Sequence, residues 1–426
     1  MRILHTSDWH LGRSFHRVGL LEAQAAVIDH LVEVVRAEAV DAVLVAGDVY
    51  DRALPGVEVV SQLDEALARL AGTGAAVVLS SGNHDSPRRL GFAARLLERS
   101  RVHVRTDPGR CGDPVLLEDR HGPVAVYPLP YLEPALSGPA LGCAPGAGHE
   151  AVLGAALATV RKDLATRPAG TRTVVAAHAF VVGGEPSDSE RDISVGGVGA
   201  VPAGLFAGVD YVALGHLHGR QRLGDTVRYS GSPLAYSFSE HGHTKGSWLV
   251  ELGPGGVERV DAIDAPVPRR LAVFGGPLEK LLTDPALAPH EDAWCQVTLT
   301  DDERPAEAMT RVRTRFPHTL ELRFAPASAP AGGTYTRRTA EQDDLGLCCG
   351  FVEHVRRRPP TEPERELLAA AVEGARVALA RETGVAPLRA GRRLAPATAL
   401  PPGWDAARET TREAGREAGR KERVAG

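Results

Sequence analysis

Asp41-Ala42-Val43-Leu44-Val45-Ala46-Gly47-Asp48-Val49-Tyr50-Asp51 is the stretch on which the fold turns. A short apolar run with no polar alternation reads as a strand buried on both faces. Gly47 ends the run and permits a sharp turn, and two carboxylates follow it. The same arrangement recurs along the first half of the chain. Arg2-Ile3-Leu4 leads to Asp8-Trp9-His10, and Ala75-Ala76-Val77-Val78-Leu79 leads to Gly82-Asn83-His84-Asp85. Thr173-Val174-Val175-Ala176 leads to Ala177-His178-Ala179, and Tyr211-Val212-Ala213-Leu214 leads to Gly215-His216-Leu217-His218. Helical stretches, such as Leu20 to Glu38 and Val57 to Ala71, separate the runs. Alternation of this kind predicts an α/β fold of βαβ units around a largely parallel sheet, with ligands at the carboxyl ends of its strands.

The residue types at those strand ends define a chemistry. Asp8, His10, Asp48, Asn83, His178, His216 and His218 offer carboxylate, amide and imidazole donors without a thiolate, a set suited to manganese, iron or zinc. A carboxylate such as Asp48 can bridge two ions. Two ions roughly 3.5–4 Å apart clamp the attacking and leaving oxygens of a phosphoryl displacement, so no covalent nucleophile is needed. His84 adjoins Asn83 and is the candidate acid for the leaving oxygen. Each motif alone is common; five in order, each after a strand, are not a packing accident. Asp51 and Asp85 read either as residues that orient a ligand or turn or as solvated loop acids. His5 reads as a packed core histidine, and His241 and His243 as exposed loop residues.

This motif set resembles the calcineurin-like metallophosphoesterases. More narrowly, Thr6-Ser7-Asp8-Trp9-His10-Leu11-Gly12, Ala177-His178-Ala179-Phe180-Val181 and Tyr229-Ser230-Gly231-Ser232-Pro233-Leu234-Ala235-Tyr236-Ser237-Phe238-Ser239-Glu240 resemble the SbcD family of bacterial nuclease subunits. The resemblance implies a four-layer sandwich with a small α+β capping domain and a C-terminal partner-binding helix. It implies two divalent ions, manganese by expectation. Asp8, His10 and His218 would hold one, Asn83, His178 and His216 the other, with Asp48 bridging and His84 catalytic. It further implies 3′-to-5′ double-strand exonuclease and single-strand or hairpin endonuclease activity in DNA repair, recombination and replication. The partners would be DNA and an SbcC-type coiled-coil ATPase, in a heterotetramer containing a homodimer of this chain. Residues 54–70 and 88–99 would form the dimer contact. The competing reading is another two-metal phosphodiesterase acting on a small phosphodiester. A catalytically silent scaffold would be expected to lose ligands, and every expected position is filled.

Composition fits a soluble enzyme. The chain has 426 residues, 43% of them hydrophobic, which predicts two or three domains with real cores. No apolar run approaches a membrane span of roughly 18 residues, and no signal-peptide pattern is visible, so the expected location is the cytoplasm, at the nucleoid. The 5 cysteines lack metal or disulfide spacing and read as reduced thiols, with Cys348-Cys349 in a buried strand. A net charge of -5 leaves DNA affinity to local basic patches. Arg311, Arg313, Arg315, Arg323, Arg337-Arg338 and Arg356-Arg357-Arg358 are the candidates, against the plainer reading of a solvated face.

The expected domains are the phosphoesterase at residues 1–262, the cap at 268–355, an SbcC-binding helical segment at 359–386 and a low-complexity tail at 400–426. Two prolines in Asp264-Ala265-Pro266-Val267-Pro268 mark the linker. Strand-like Trp294–Leu299 and Thr319–Phe324 flank a helical stretch from Pro305 to Phe316, and Ala-Pro-Gly-rich residues 325–333 read as a loop. Thr361 and Glu364 form a capping-box pattern before a helix whose apolar stripe is Leu368, Ala371, Val372, Ala375 and Leu379. That stripe either packs on its own domain or docks a partner. In the tail, Arg408, Arg412, Arg416 and Arg420 alternate with Glu409, Glu413 and Glu417, and nothing there can form a core.

Overall fold

The computed structural model describes residues 1–190, 199–326, 344–356 and 358–382. Two six-stranded mixed sheets face each other. The first contains β1 (Arg2–Thr6), β4 (Ala42–Ala46), β5 (Ala76–Ser80), β6 (Val102–Arg105), β13 (Gly246–Gly253) and β14 (Gly256–Asp264), in the order β14-β13-β1-β4-β5-β6. From β1 to β6 the strands are parallel; β13 and β14 close one edge antiparallel. The second contains β7 (Val115–Asp119), β8 (Gly122–Pro128), β9 (Arg172–His178), β10 (Tyr211–Gly215), β11 (Gln221–Arg222) and β12 (Val227–Tyr229), ordered β11-β12-β10-β9-β8-β7. Its centre, β8-β9-β10-β12, is parallel.

Side chains on a strand alternate between faces, so a run that is apolar throughout feeds two cores at once. Leu4, Val43, Val45, Val77 and Leu79 pack against helices α1 (Leu21–Ala37) and α2 (Val57–Ala71). Their neighbours Ile3, Ala42, Leu44, Ala76 and Val78 meet Val124, Val126, Val174, Tyr211 and Ala213 of the second sheet. On the far side Tyr127, Val175, Ala177, Val212 and Leu214 pack on α3 (His149–Leu164). This is the four-layer helix–sheet–sheet–helix sandwich that the sequence predicts. Each fully buried Val or Leu stabilises it by roughly 1.5–3 kcal/mol. His5 lies wholly inside, bonded to Tyr211 Oη (2.9 Å) and Leu214 O (3.1 Å).

A short hairpin, β2 (Ser14–Phe15) and β3 (Val18–Gly19), follows the first strand–loop unit. Phe15 stacks on Trp294 at a centroid distance of 5.4 Å, and His16 Nε2 lies 3.8 Å from Glu321. These contacts join the sandwich to a smaller module with its own core. That module holds a parallel sheet of β15 (Leu271–Gly276), β16 (Trp294–Leu299) and β17 (Thr319–Phe324), with α4 (Leu278–Thr283) and α5 (Ala308–Arg315). The strand at Leu271–Gly276 and helix α4 are absent from the sequence expectation, and α5 is shorter than the stretch from Pro305 to Phe316.

Two helices follow, α6 (Asp344–Arg356) and α7 (Glu362–Glu382), which pack against each other. Cys348 and Cys349 lie on α6, half-buried, which corrects the expectation of a buried strand. The α7 start follows the capping pattern: Glu364 Oε2 accepts from the Thr361 N–H at 2.8 Å. Leu368 and Val372 on its stripe are half-buried, whereas Ala371 and Ala375 are exposed. The Leu379 side chain, Arg337-Arg338, Arg357, residues 327–333 of the expected loop and the whole 400–426 tail lie outside the described residues. Among the described residues no helix is long and apolar enough to cross a membrane.

Candidate metal centre

The strand ends of both sheets meet at one place. Loops after β1 and β4 are zipped together by Asp8 N–H to Gly47 O (3.1 Å), His10 N–H to Asp48 O (2.9 Å) and Leu11 N–H to Val49 O (2.9 Å). The His216 N–H, just past β10, donates to the Asp8 carboxylate at 3.0 and 3.2 Å and ties the second sheet to the first. Asp8, His10, Asp48, His178, His216 and His218 are all buried, and so is His84.

Close approach makes two glycines obligatory. A Cβ at Gly215 would stand 1.9 Å from Ala46 O, and one at Gly82 would stand 2.1 Å from Asp48 Oδ1. The ligand candidates themselves take unusual backbone. Asp8 (φ 52°), His10 (φ 44°), Asp48 (φ 49°) and His216 (φ 106°) all lie in the left-handed half of conformational space.

Asp48 sits at the centre. Its Oδ1 accepts the His84 N–H at 2.9 Å, and Oδ2 faces His178 Nε2 at 3.4 Å, His10 Nε2 at 3.5 Å and His84 Nε2 at 3.9 Å. On one side Asp8, His10 and His218 bring ligand atoms within 4.8 Å of one another, and His10 Nε2 lies 3.0 Å from His218 Nε2. Asp8, Asp48 and His178 do the same on the other side, where His178 Nε2 lies 2.8 Å from Asn83 Oδ1. The His216 ring lies edge-on to His178 with centroids 5.3 Å apart. The seven candidate ligands and His84 are thus assembled at one centre.

The donor chemistry fits bound cations. His178 Nδ1 donates to Ala46 O at 3.0 Å, so in the neutral ring Nε2 is a lone pair. It points at two further acceptors, Asn83 Oδ1 and Asp48 Oδ2. Converging acceptors need positive charge between them. In the protein alone a proton supplies it. Burial works against that proton, but Asp48 and Asp8 outweigh burial and raise His178 to about 9. Burial also acts on Asp48, yet His178, His84 and His10 hold its carboxyl well below the usual range. Burial pushes Asp8 up to about 6 against His178 and His218. His10 and His216 are driven well below the usual imidazole value by burial.

Supporting groups complete the shell. Asp85 is buried and accepts from Gly82 N–H (2.9 Å), Tyr50 N–H (2.9 Å) and Val49 N–H (3.1 Å), bracing the loops that carry Asp48 and Asn83. Burial, then the charge of Asp48, raises its carboxyl to about 7. The Asp51 carbonyl accepts from His84 Nδ1 at 2.8 Å, and the Asp51 carboxylate lies 3.8 Å from His10 Nδ1. Ser189, Glu240 and Lys245, buried beside His218, escape the sequence reading. Glu240 falls within a quoted motif, but nothing in the spacing links it to a serine 51 residues away. His241 and His243 are exposed.

Among the described residues, Arg311, Arg313, Arg315 and Arg323 each have a partner within the small module, with the side chains of Arg311 and Arg323 still exposed. Arg311 pairs with Glu279, Arg315 with Glu291 (3.0 Å), Arg323 with Glu321 (2.7 Å), and Arg313 donates to Thr319 O (2.8 Å). Arg311, Arg313 and Arg315 tie elements of the small module together, whereas Arg323 pairs within its own strand.

A four-layer sandwich with buried carboxylates and imidazoles at its strand ends defines a metal-dependent phosphoesterase. The calcineurin-like phosphoesterase family matches residues 1–220, and the chain belongs to that family, hydrolases of phosphoester bonds. A second family, SbcD_C, described as the type 5 capsule protein repressor C-terminal domain, matches residues 267–348. Together the two matches make this an SbcD-type chain. Among solved structures, TT1561 of Thermus thermophilus is similar at 12% identity and a TM-score of 0.37, covering 62% of this chain and 98% of that one. A second crystal structure is similar at 13% identity and a TM-score of 0.37, covering 62% of this chain and 99% of that one.

Proposed function

We propose that the chain is the cutting subunit of a DNA-end-processing machine, a two-metal hydrolase of DNA phosphodiesters. The observation that carries the reading is Asp48, whose one carboxylate faces both clusters of acceptors. Asp8, His10 and His218 would hold one ion and Asn83, His178 and His216 the other, with Asp48 between them. Manganese is the expected metal. When bound, such ions polarise the phosphoryl oxygens and lower the pKa of the attacking water. The protein contributes rigid placement: Asp85 and the zipped loops fix Asp48, and backbone acceptors fix the rings of His178 and His84. With Nδ1–H of His84 donated to Asp51 O, Nε2 is the ring nitrogen left for the leaving oxygen, and it carries a proton to give only in the doubly protonated ring.

The proposed substrate and partner rest on the remainder of the chain. Residues 1–262 are read as the nuclease body, 268–355 as a cap, 359–386 as the segment that docks an SbcC-type ATPase and 400–426 as a tail. The SbcD-type match supports 3′-to-5′ exonuclease and hairpin endonuclease action in repair and recombination, in a heterotetramer, within the cytoplasm. The Arg311–Arg323 guanidiniums are internally paired, so this reading assigns much of the DNA contact to the metals and the ATPase.

The test is manganese-dependent cleavage of linear and hairpin DNA beside a chromogenic phosphodiester, with and without the ATPase. Cleavage of the chromogenic ester alone, with the ATPase present, defeats the nuclease reading. His84→Asn should lower the rate about 10²–10⁴-fold with two ions still bound. Loss of an ion in that variant would make His84 a ligand instead.

A further inference from the structure

His218 differs from the other candidate ligands in what stands behind its ring. His178 and His84 turn Nδ1 to backbone carbonyls, of Ala46 and Asp51. The His218 Nδ1 instead meets the hydroxyl of Ser189, and that hydroxyl lies 2.6 Å from Glu240 Oε1. A carboxylate can only accept, so the Ser189 proton goes to Glu240 and the Ser189 lone pair accepts the Nδ1–H of His218. The chain of donors leaves Nε2 of His218 as a lone pair, aimed toward His10 Nε2 at 3.0 Å.

The far end of this chain is also fixed. Glu240 is 1% exposed, and its Oε1 accepts the Tyr236 N–H at 3.1 Å. Its Oε2 pairs with Lys245 Nζ, which also donates to His218 O (2.7 Å) and Ser232 Oγ (3.0 Å). All three ammonium protons are therefore spent, one of them on the backbone of His218 itself. Glu190 Oε1 accepts the His218 N–H at 2.6 Å. His218 is gripped at its ring, its amide and its carbonyl.

We infer that Ser189 and Glu240 are positioning residues that set the tautomer and ring direction of His218, and so the affinity of the ion on the Asp8–His10–His218 side. The inference rests on the two-ion reading given above. A bare buried ion pair between Glu240 and Lys245 would be a structural feature only. The hydroxyl inserted between Glu240 and the imidazole is what turns it toward the centre. Partners of this kind, removed, typically cost about 10–100-fold in metal affinity.

The experiment titrates manganese into the chelator-stripped full-length chain by calorimetry, with bound metal counted after gel filtration. Wild type should take two ions. Ser189→Ala should keep one tight ion and bind the other about 10–100-fold more weakly, and Ser189→Thr, which keeps the hydroxyl, should restore it. Glu240→Gln combined with Lys245→Met removes the buried charges as a pair and should match or exceed the Ser189→Ala effect. Nitrogen chemical shifts of the His218 ring give a readout without metal: protonated Nδ1 in wild type, a mixture of tautomers in Ser189→Ala. Unchanged affinity and unchanged ring shifts in Ser189→Ala overturn the inference, and so does a failure of threonine to rescue. A wild-type chain that takes up only one ion, or none, overturns the two-ion reading and this inference with it, whatever the variants do.

Discussion

The interior of the sandwich and the helix pair at residues 344–382 differ in how far they bury apolar residues. In the sandwich, Ile3, Leu44, Val126 and Val174 are 0% exposed. On the helix pair, Phe351 is 60% exposed, Val355 61% and Leu367 71%. The sandwich closes its interior and spends the rigidity on placing buried charges, while Leu54, Val57, Phe92 and Leu96 on its surface stay exposed. The helix pair also leaves large apolar groups in water, a pattern that marks interaction surface. Of its three exposed residues only Leu367 falls within residues 359–386, the segment proposed to dock a partner.

Four experiments can break or sharpen that contrast. Asp48→Asn removes the charge facing both clusters, and turnover should fall by about 10³-fold or more, with both ions lost. A rate within tenfold of wild type would end the two-ion account. Chelation comes next. With metal at roughly 1,000 times its dissociation constant, stripping it should cost about 4 kcal/mol, read as a fall in the thermal midpoint. Hydrogen exchange in α6 and α7 should not change, and a parallel change there would couple the two regions.

Leu44→Ala, between the sheets, should cost about 3 kcal/mol in a urea melt followed by tryptophan fluorescence. A cost under about 1 kcal/mol would mean the inter-sheet core relaxes into the space. The smallest effect is expected at Leu367→Ala, within about 0.5 kcal/mol of wild type in the isolated chain. The same variant should weaken capture of the ATPase partner, measured by surface binding. A large loss of stability there would make the helix pair part of the folded core after all.

The sandwich and its centre were legible because the chemistry dictates residue types. Oxygen and imidazole ligands at the ends of doubly buried strands stand out against apolar runs, and Asp8, Asp48 and His178 each follow one. The strand at Leu271–Gly276 was not legible: it ends in two glycines, and only Ala272 in it is buried. Helix α6 was missed because Gly346, Gly350 and the paired cysteines weaken its helical signal, and contact with α7 outweighs propensity there. The arginines were legible as a cluster, but their engagement with Glu279, Glu291 and Glu321 depends on tertiary placement. The Ser189–Glu240–Lys245 network was invisible for the same reason. Ser189 comes from a different loop from Glu240 and Lys245, and the network's logic is a direction of hydrogen bonds.

Asp8, His10, Asp48 and His216 hold backbone angles that side chains disfavour, at a cost of roughly 1–3 kcal/mol each. The penalty falls on the very residues proposed to hold the ions. Drift under selection for mere persistence would therefore erode these four positions first, towards glycine and relaxed loops. Among descendants of this sequence, unusual ruggedness in the metal-free state would be a warning sign of lost catalysis.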